Sequence, residues 1–297
     1  MVLTDPTIDV GRLTSRYGIA KEDAKPRGAL PRTGWEYAMD LGIAGRRAIV
    51  CASSKGLGRA CAKSLAEAGC EVVVNGRNRD AAEAAAADIR QATGARVTAV
   101  AADVATAAGQ TALFVACPEP DIVVNNNAGP PFRDFRELTR QQIIDGVIAN
   151  MVVAIEITQK AIDPMVRRNF GRIVNITSGT VKAPLFGLDL SSGARAGLTA
   201  FMAGVARSVA SANVTINFMQ PGPFATDRLQ SNMEMTAAKR GITVEQAVKE
   251  RIASIPAKRL GNPDEFGAAC AFLCSSHAGY ITGQNLLIDG GTFPGAF

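Results

Sequence analysis

From Arg46 onward, short unbroken apolar runs alternate with longer stretches of helical periodicity. "RRAIVCA", "EVVVNG", "RVTAVAAD" and "DIVVNN" show no polar alternation. Runs of this kind are strands covered on both faces, as in a parallel sheet. Between them, "GRACAKSLAEAGC" and "DAAEAAAADIRQATG" read as helices, the second stopping on a glycine. Two longer helices, the strand "GRIVNITS", a helix after Ser191, and the strands "NVTINFMQPG" and "NLLIDGG" bring the total to about seven strands. The pattern predicts one α/β domain, a doubly wound parallel seven-stranded sheet in three αβα layers with right-handed crossovers.

Two segments break the rhythm. Residues 1–44 are polar, rich in Pro, Gly and Arg ("EDAKPRGALPRTG"), and lack sustained periodicity. They predict an N-terminal extension, loose or laid on a neighbour as an arm, ahead of a domain at 45–297. "MDLGIAGRRAIV" from Met39 would itself make a natural beginning. Residues 224–256, polar and methionine-bearing, predict one or two helices outside the sheet. Directly after a strand end, they suit a lid in which Met233 and Met235 adapt to an apolar ligand.

Composition narrows the partners. Hydrophobic residues make up 47% and charged residues 20%, ample for a core. The net charge of +5 is scattered rather than blocked, which favours a solvated surface over nucleic acid. No run reaches the ~18 apolar residues of a membrane helix, and "MVLTDPTIDV" is not a secretory leader. A cytoplasmic location is expected, with a small molecule as the partner. The six cysteines form no CxxC pair, and His277 is the lone histidine. Buried free thiols, and no metal site, are expected.

"AIVCASSKGLGRACA" is a glycine-bearing turn between the first strand and first helix. Gly56 and Gly58 let the backbone approach a pyrophosphate at the helix N-terminus. The spacing resembles TGxxxGxG, the fingerprint of the short-chain dehydrogenases/reductases, with Cys51-Ala52 in place of Thr-Gly. Alanine there costs about 1 kcal/mol if its φ is positive, and nothing otherwise. The resemblance implies a Rossmann-type fold and puts Ala52, Ser54, Lys55, Gly56, Leu57 and Gly58 along the cofactor. The second strand ends "VVVNGRN", without the acid that would accept from ribose hydroxyls. Arg77 and Lys55 instead suit a 2′-phosphate, so NADP(H) is favoured over NAD(H).

Further likenesses follow in family order. Asp103-Val104 resembles the pair that meets the adenine. "NNAG" (Asn126 to Gly129, including Ala128) resembles the motif that braces the sheet and lines the cofactor. Asn150 falls where the family has the helix asparagine of its proton-relay water. "QPGPFATD" resembles the PG motif, giving Pro221 and Gly222, with Phe224 and Thr226 near the nicotinamide amide. "RLGNPDEFGAACAFLCSSHAGYITGQNLLIDGG" resembles the C-terminal segment. The likeness covers Gly45 to Gly291, is nearest the 3-oxoacyl-carrier-protein reductases, and implies a homo-oligomer, a tetramer or dimer.

The catalytic set breaks the pattern. Ser178, past the fifth strand, resembles the family serine that hydrogen-bonds the substrate carbonyl. The family's YxxxK pair reads Ser191 and Arg195 here. The tyrosines lie at 17, 37 and 280, and the nearby lysine is Lys182. Serine cannot ionise at neutral pH, whereas Arg195 can still hold ribose hydroxyls. Losing a general acid costs typically ~10²–10⁴-fold. Three readings stand. One is an NADP(H)-dependent oxidoreductase of a carbonyl or hydroxyl substrate, its proton moving through water near Asn150, or through Lys182 or Asp189. Another is a reductase of an activated C=C bond. The third is a nucleotide-binding sensor or non-redox enzyme.

Overall fold

The computed structural model describes residues 39–130 and 132–296; the expected extension up to residue 38 lies outside the described residues. Strands β1 (Arg47–Val50), β2 (Glu71–Gly76), β3 (Val97–Ala101), β4 (Ile122–Asn125), β5 (Gly171–Ile176), β6 (Val214–Pro221) and β7 (Asn285–Ile288) pair in parallel throughout, in the order β3-β2-β1-β4-β5-β6-β7. The unbroken apolar runs are explained by burial on both faces. Ala48 and Val50 enter one core with Val72 and Val74, while Ile49 and Cys51 enter the other with Val73.

Helices α1 (Gly56–Glu67), α2 (Arg79–Thr93) and α9 (Pro263–Cys274) cover the first face; α3 (Ala107–Ala116), α5 (Val153–Arg167) and α6 (Asp189–Val209) cover the second. The chain leaves β1 toward β2 and β3, then returns to place β4 on the other side. That reversal opens a crevice at the C-terminal ends of β1 and β4, the place where doubly wound sheets bind ligands.

Two boundaries differ from expectation. The folded domain starts before residue 45: Ile43 is fully buried, its carbonyl accepts from the Cys70 thiol, and Leu41 O accepts from Ser276 N. In addition, α4 (Arg140–Val147), a π-helical turn (Ile148–Val152) and α5 run on as one helix of 28 residues. Its mean hydropathy reaches 1.2 over an 18-residue window, enough by length and composition to cross a membrane. The sequence, lacking an unbroken apolar run, does not suggest this. One side of it, through Val153, Ile157, Ala161 and Met165, packs on the sheet, whereas Ile143, Ile144 and Ile148 are exposed.

The segment after β6 forms α7 (Asp227–Arg240) and α8 (Val244–Ala253), outside the sheet as expected. All six cysteines are free and buried, and no metal-binding cluster exists among the described residues.

Candidate active site

The glycine turn is held by Asn126, named from the sequence, and by Ser53 and Asn75, which sequence reasoning missed. Ser53 Oγ donates to Val50 O (2.6 Å) and accepts from Asn75 N (2.9 Å). Asn75 Oδ1 accepts from Ala52 N (3.0 Å), and its Nδ2 donates to the carbonyls of Val100 and Ala102. Asn126 Nδ2 donates to Ala52 O (3.1 Å) from the end of β4. The one available signal is an asparagine interrupting the valines of β2. Ala52 sits at φ +44°, so the left-handed strain anticipated for it is real. A Cβ on Gly58 would collide with Ala52 O and Asn126 Nδ2, so glycine is required there.

The surroundings fit a dinucleotide. Lys55 starts α1 without a side-chain cap, leaving the first-turn N–H groups for a ligand. Gly56 lies at φ +59°, and Ser54 Oγ is packed close against Gly76. Lys55 and Arg77 are both exposed and make no ion pair among the described residues. Leu57 packs on the first core. Asp103 Oδ1 accepts from Ala105 N past β3, and Val104 is buried. Asn127 Nδ2 donates to Ala149 O, tying the turn of Ala128 and Gly129 to the π-helical turn.

After β6, Pro221 O stands 3.4 Å from a Cβ position on Gly179, and a Cβ on Gly222 would strike Asp289. Thr226 caps α7 and comes within 3.9 Å of a Cβ position on Gly56, so the start of α7 meets the glycine turn. Phe224 is 4% exposed, and its ring packs edge-on against Phe266 (5.3 Å, 79°), in the core rather than toward a nicotinamide as expected. Its backbone alone can face the site.

Ser178 Oγ accepts from Thr180 N (3.1 Å) at the turn after β5. Ser191 and Arg195 face one another across one turn of α6. Arg195 Nε donates to Ser191 Oγ (3.3 Å), and its Nη1 donates to Ile176 O (2.7 Å). Both residues are buried. Burial and the neighbouring charge of Arg228 push the Arg195 guanidinium down to about 10, still a cation at neutral pH. Asn150 lies in the π-helical turn, with Nδ2 donating to Gly146 O and Oδ1 buried without a partner. Asn150 and Arg195 line one polar recess of about 20 Å³, room for one water. Lys182 and Asp189 are engaged elsewhere: Lys182 Nζ lies 5.6 Å from the Phe293 ring centroid, and Asp189 Oδ2 accepts from Gly187 N.

Arg228, in the first turn of α7, is the site residue the sequence does not single out. Its guanidinium reaches back to Gly129 O and Pro130 O (3.4 Å each).

The family model described as Enoyl-(Acyl carrier protein) reductase matches residues 51–292. The NADPH-dependent reductase BacG of Bacillus subtilis is 31% identical over 252 residues, 83% of this chain and 97% of that protein. The 3-oxoacyl-[acyl-carrier-protein] reductase FabG of Aquifex aeolicus is 30% identical over 259 residues, 86% of this chain and all of that one. Among solved structures, L-sorbose reductase of Gluconobacter frateurii, complexed with NADPH and L-sorbose, superposes with a TM-score of 0.82 at 27% identity, covering 86% of this chain and 100% of that chain. Motif order, sheet topology and these similarities agree: the chain belongs to the short-chain dehydrogenase/reductase family.

Proposed function

We propose that the protein is an NADP(H)-dependent reductase of a carbonyl compound of the 3-oxoacyl kind, working without a tyrosine acid. The glycine turn, Asp103, the Asn126–Gly129 turn, Gly222 and Thr226 hold the dinucleotide, while Arg77 and Lys55 take its 2′-phosphate. NADP(H) is what BacG and the L-sorbose reductase structure carry in their descriptions. Bound NADPH supplies the hydride.

One observation carries the reading. Each serine oxygen already accepts: Ser178 from the Thr180 amide and the Thr180 hydroxyl (3.0 Å), Ser191 from Arg195 Nε. Each hydroxyl hydrogen is therefore left to donate to a substrate oxygen. The Arg195 cation beside Ser191 favours the charge that develops on that oxygen as hydride adds to carbon. The proton that completes the alcohol is drawn from water in the recess shared by Asn150 and Arg195. No side chain in the pair need ionise.

A second reading is reduction of an activated C=C bond. A cation at neutral pH with no phenol beside it favours this one: an enolate oxygen needs stabilisation, and its carbon is protonated afterwards. Six free buried thiols support a reducing, cytoplasmic setting. The exposed Ile143, Ile144 and Ile148 face supports a homo-oligomer.

NADPH oxidation is followed with a 3-oxoacyl thioester, simple ketones, quinones and enones. Turnover of the thioester or ketones, cut about 100-fold in Ser191→Ala, is expected. Turnover of enones alone selects the second reading. Tight NADPH binding without turnover of any class makes the protein a nucleotide-binding sensor.

A further inference from the structure

Two guanidiniums converge on Gly129 from different elements. A Cβ placed there would stand 3.0 Å from Arg228 Nη2 and 3.6 Å from Arg195 Nη2. Arg195 is held through Nε and Nη1, which leaves Nη2, on a side chain 8% exposed, with no hydrogen-bond partner among the described residues. Arg228 meets two neutral carbonyls at 3.4 Å, long for N–H···O bonds. Neither arginine has a carboxylate within ion-pair distance among the described residues, although the molecule pairs many of its other arginines. Like charges brought together without a counter-ion repel, and more strongly where water is thin. An anion between them would remove that repulsion and accept the free Nη2 hydrogens as charge-assisted bonds.

Two exposed aromatic rings lie near these residues in the chain. Phe132 follows Gly129 closely in the chain, and Phe186 lies in the loop leading to α6. Their rings meet edge-on at 6.4 Å, and both are exposed. Arg133 N donates to Gly187 O (2.9 Å), which ties the two loops into one rim.

We propose that Arg228 and Arg195 form an anion subsite for the substrate, so that among carbonyl compounds of the proposed class a free oxo acid binds more tightly than its ester or thioester. This rests on Ser178 and Ser191 being the carbonyl-oxygen end of the same site. The cofactor diphosphate offers the same chemistry, so the experiment separates the two sources.

Binding of 2-oxo-4-phenylbutanoate and 4-oxo-4-phenylbutanoate, each beside its methyl ester, is measured by calorimetry on the full chain saturated with NADP⁺, together with the Kd of NADPH alone. At least one acid is expected to bind about tenfold more tightly than its ester. In Arg228→Gln that acid should fall to the level of the ester, with the NADPH Kd changed less than twofold. Two results overturn the subsite. One is equal binding of acid and ester in the natural protein for both pairs. The other is an Arg228→Gln variant that weakens NADPH about tenfold while keeping the acid preference, which assigns Arg228 to the diphosphate. The reductase reading fails separately: acid preference in binding without NADPH consumption for any probe retains the subsite and removes the redox activity.

Discussion

Arg195 Nε donates to Ser191 Oγ across a single turn of α6, so the serine is an acceptor toward the helix and a donor toward the substrate. This pair holds no group that titrates near neutrality. The kcat/KM profile should be flat from roughly pH 6 to 9, then fall as Arg195 loses its charge near its depressed value of about 10. Ser191→Tyr places a phenol, ordinarily near ~10, beside that cation and should add a new limb at lower pH. Identical profiles for the two proteins would contradict this. The stability sign follows from the same shift. Burying the cation costs stability below about 10, and the cost fades as pH rises from there toward the ordinary arginine range.

Cofactor choice should turn on Arg77. Arg77→Asp puts an acid at the end of β2, where it repels a 2′-phosphate and accepts from ribose hydroxyls. NADPH should weaken at least about tenfold while NADH weakens little or tightens. Fluorescence titration of both cofactors is the measurement, and equal losses would sink the phosphate assignment.

Ala52 adopts φ +44° because Asn75 and Asn126 pin its amide and carbonyl. Ala52→Gly removes the left-handed strain but loosens the unfolded chain, for a net gain of up to ~1 kcal/mol. Thermal unfolding should rise by roughly 2–4 °C.

Arg172 is the largest fully buried side chain. It donates to Ser275 O, Gly171 O and Asn213 O, and to Asn213 Oδ1, and its guanidinium lies 4.4 Å from the Phe170 ring centroid. Arg172→Leu keeps the bulk and strands those acceptors, so urea unfolding should show a loss of about 3 kcal/mol.

The strands were legible because burial on both faces writes itself as unbroken valine and isoleucine, as in "EVVVNG". The glycine turn was legible because Gly58 has no substitute. What sequence patterning hides is direction. Phe224 follows the PG motif as family order requires, but its ring packs on Phe266 in the first core. Arg228 reads as one more surface cation until α7 folds back over Gly129. Asn75 and Ser53 are short polar residues at strand ends, a signature shared with ordinary turns. Ile43 reads as lying outside the domain because a single apolar residue after a polar segment carries no period, yet it is fully buried.

The six thiols carry a practical consequence. Burial raises Cys51 and Cys70 to about 12 and Cys117 to about 11, so these three are almost wholly protonated at neutral pH. An alkylating reagent then meets a reactive sulfur only when a part of the fold opens. Each cysteine becomes a clock for its own neighbourhood: Cys51 for the cofactor turn, Cys117 for the end of α3, and Cys270 and Cys274 for α9. The order in which they are labelled, with and without NADPH, would chart which parts of the molecule the nucleotide locks shut.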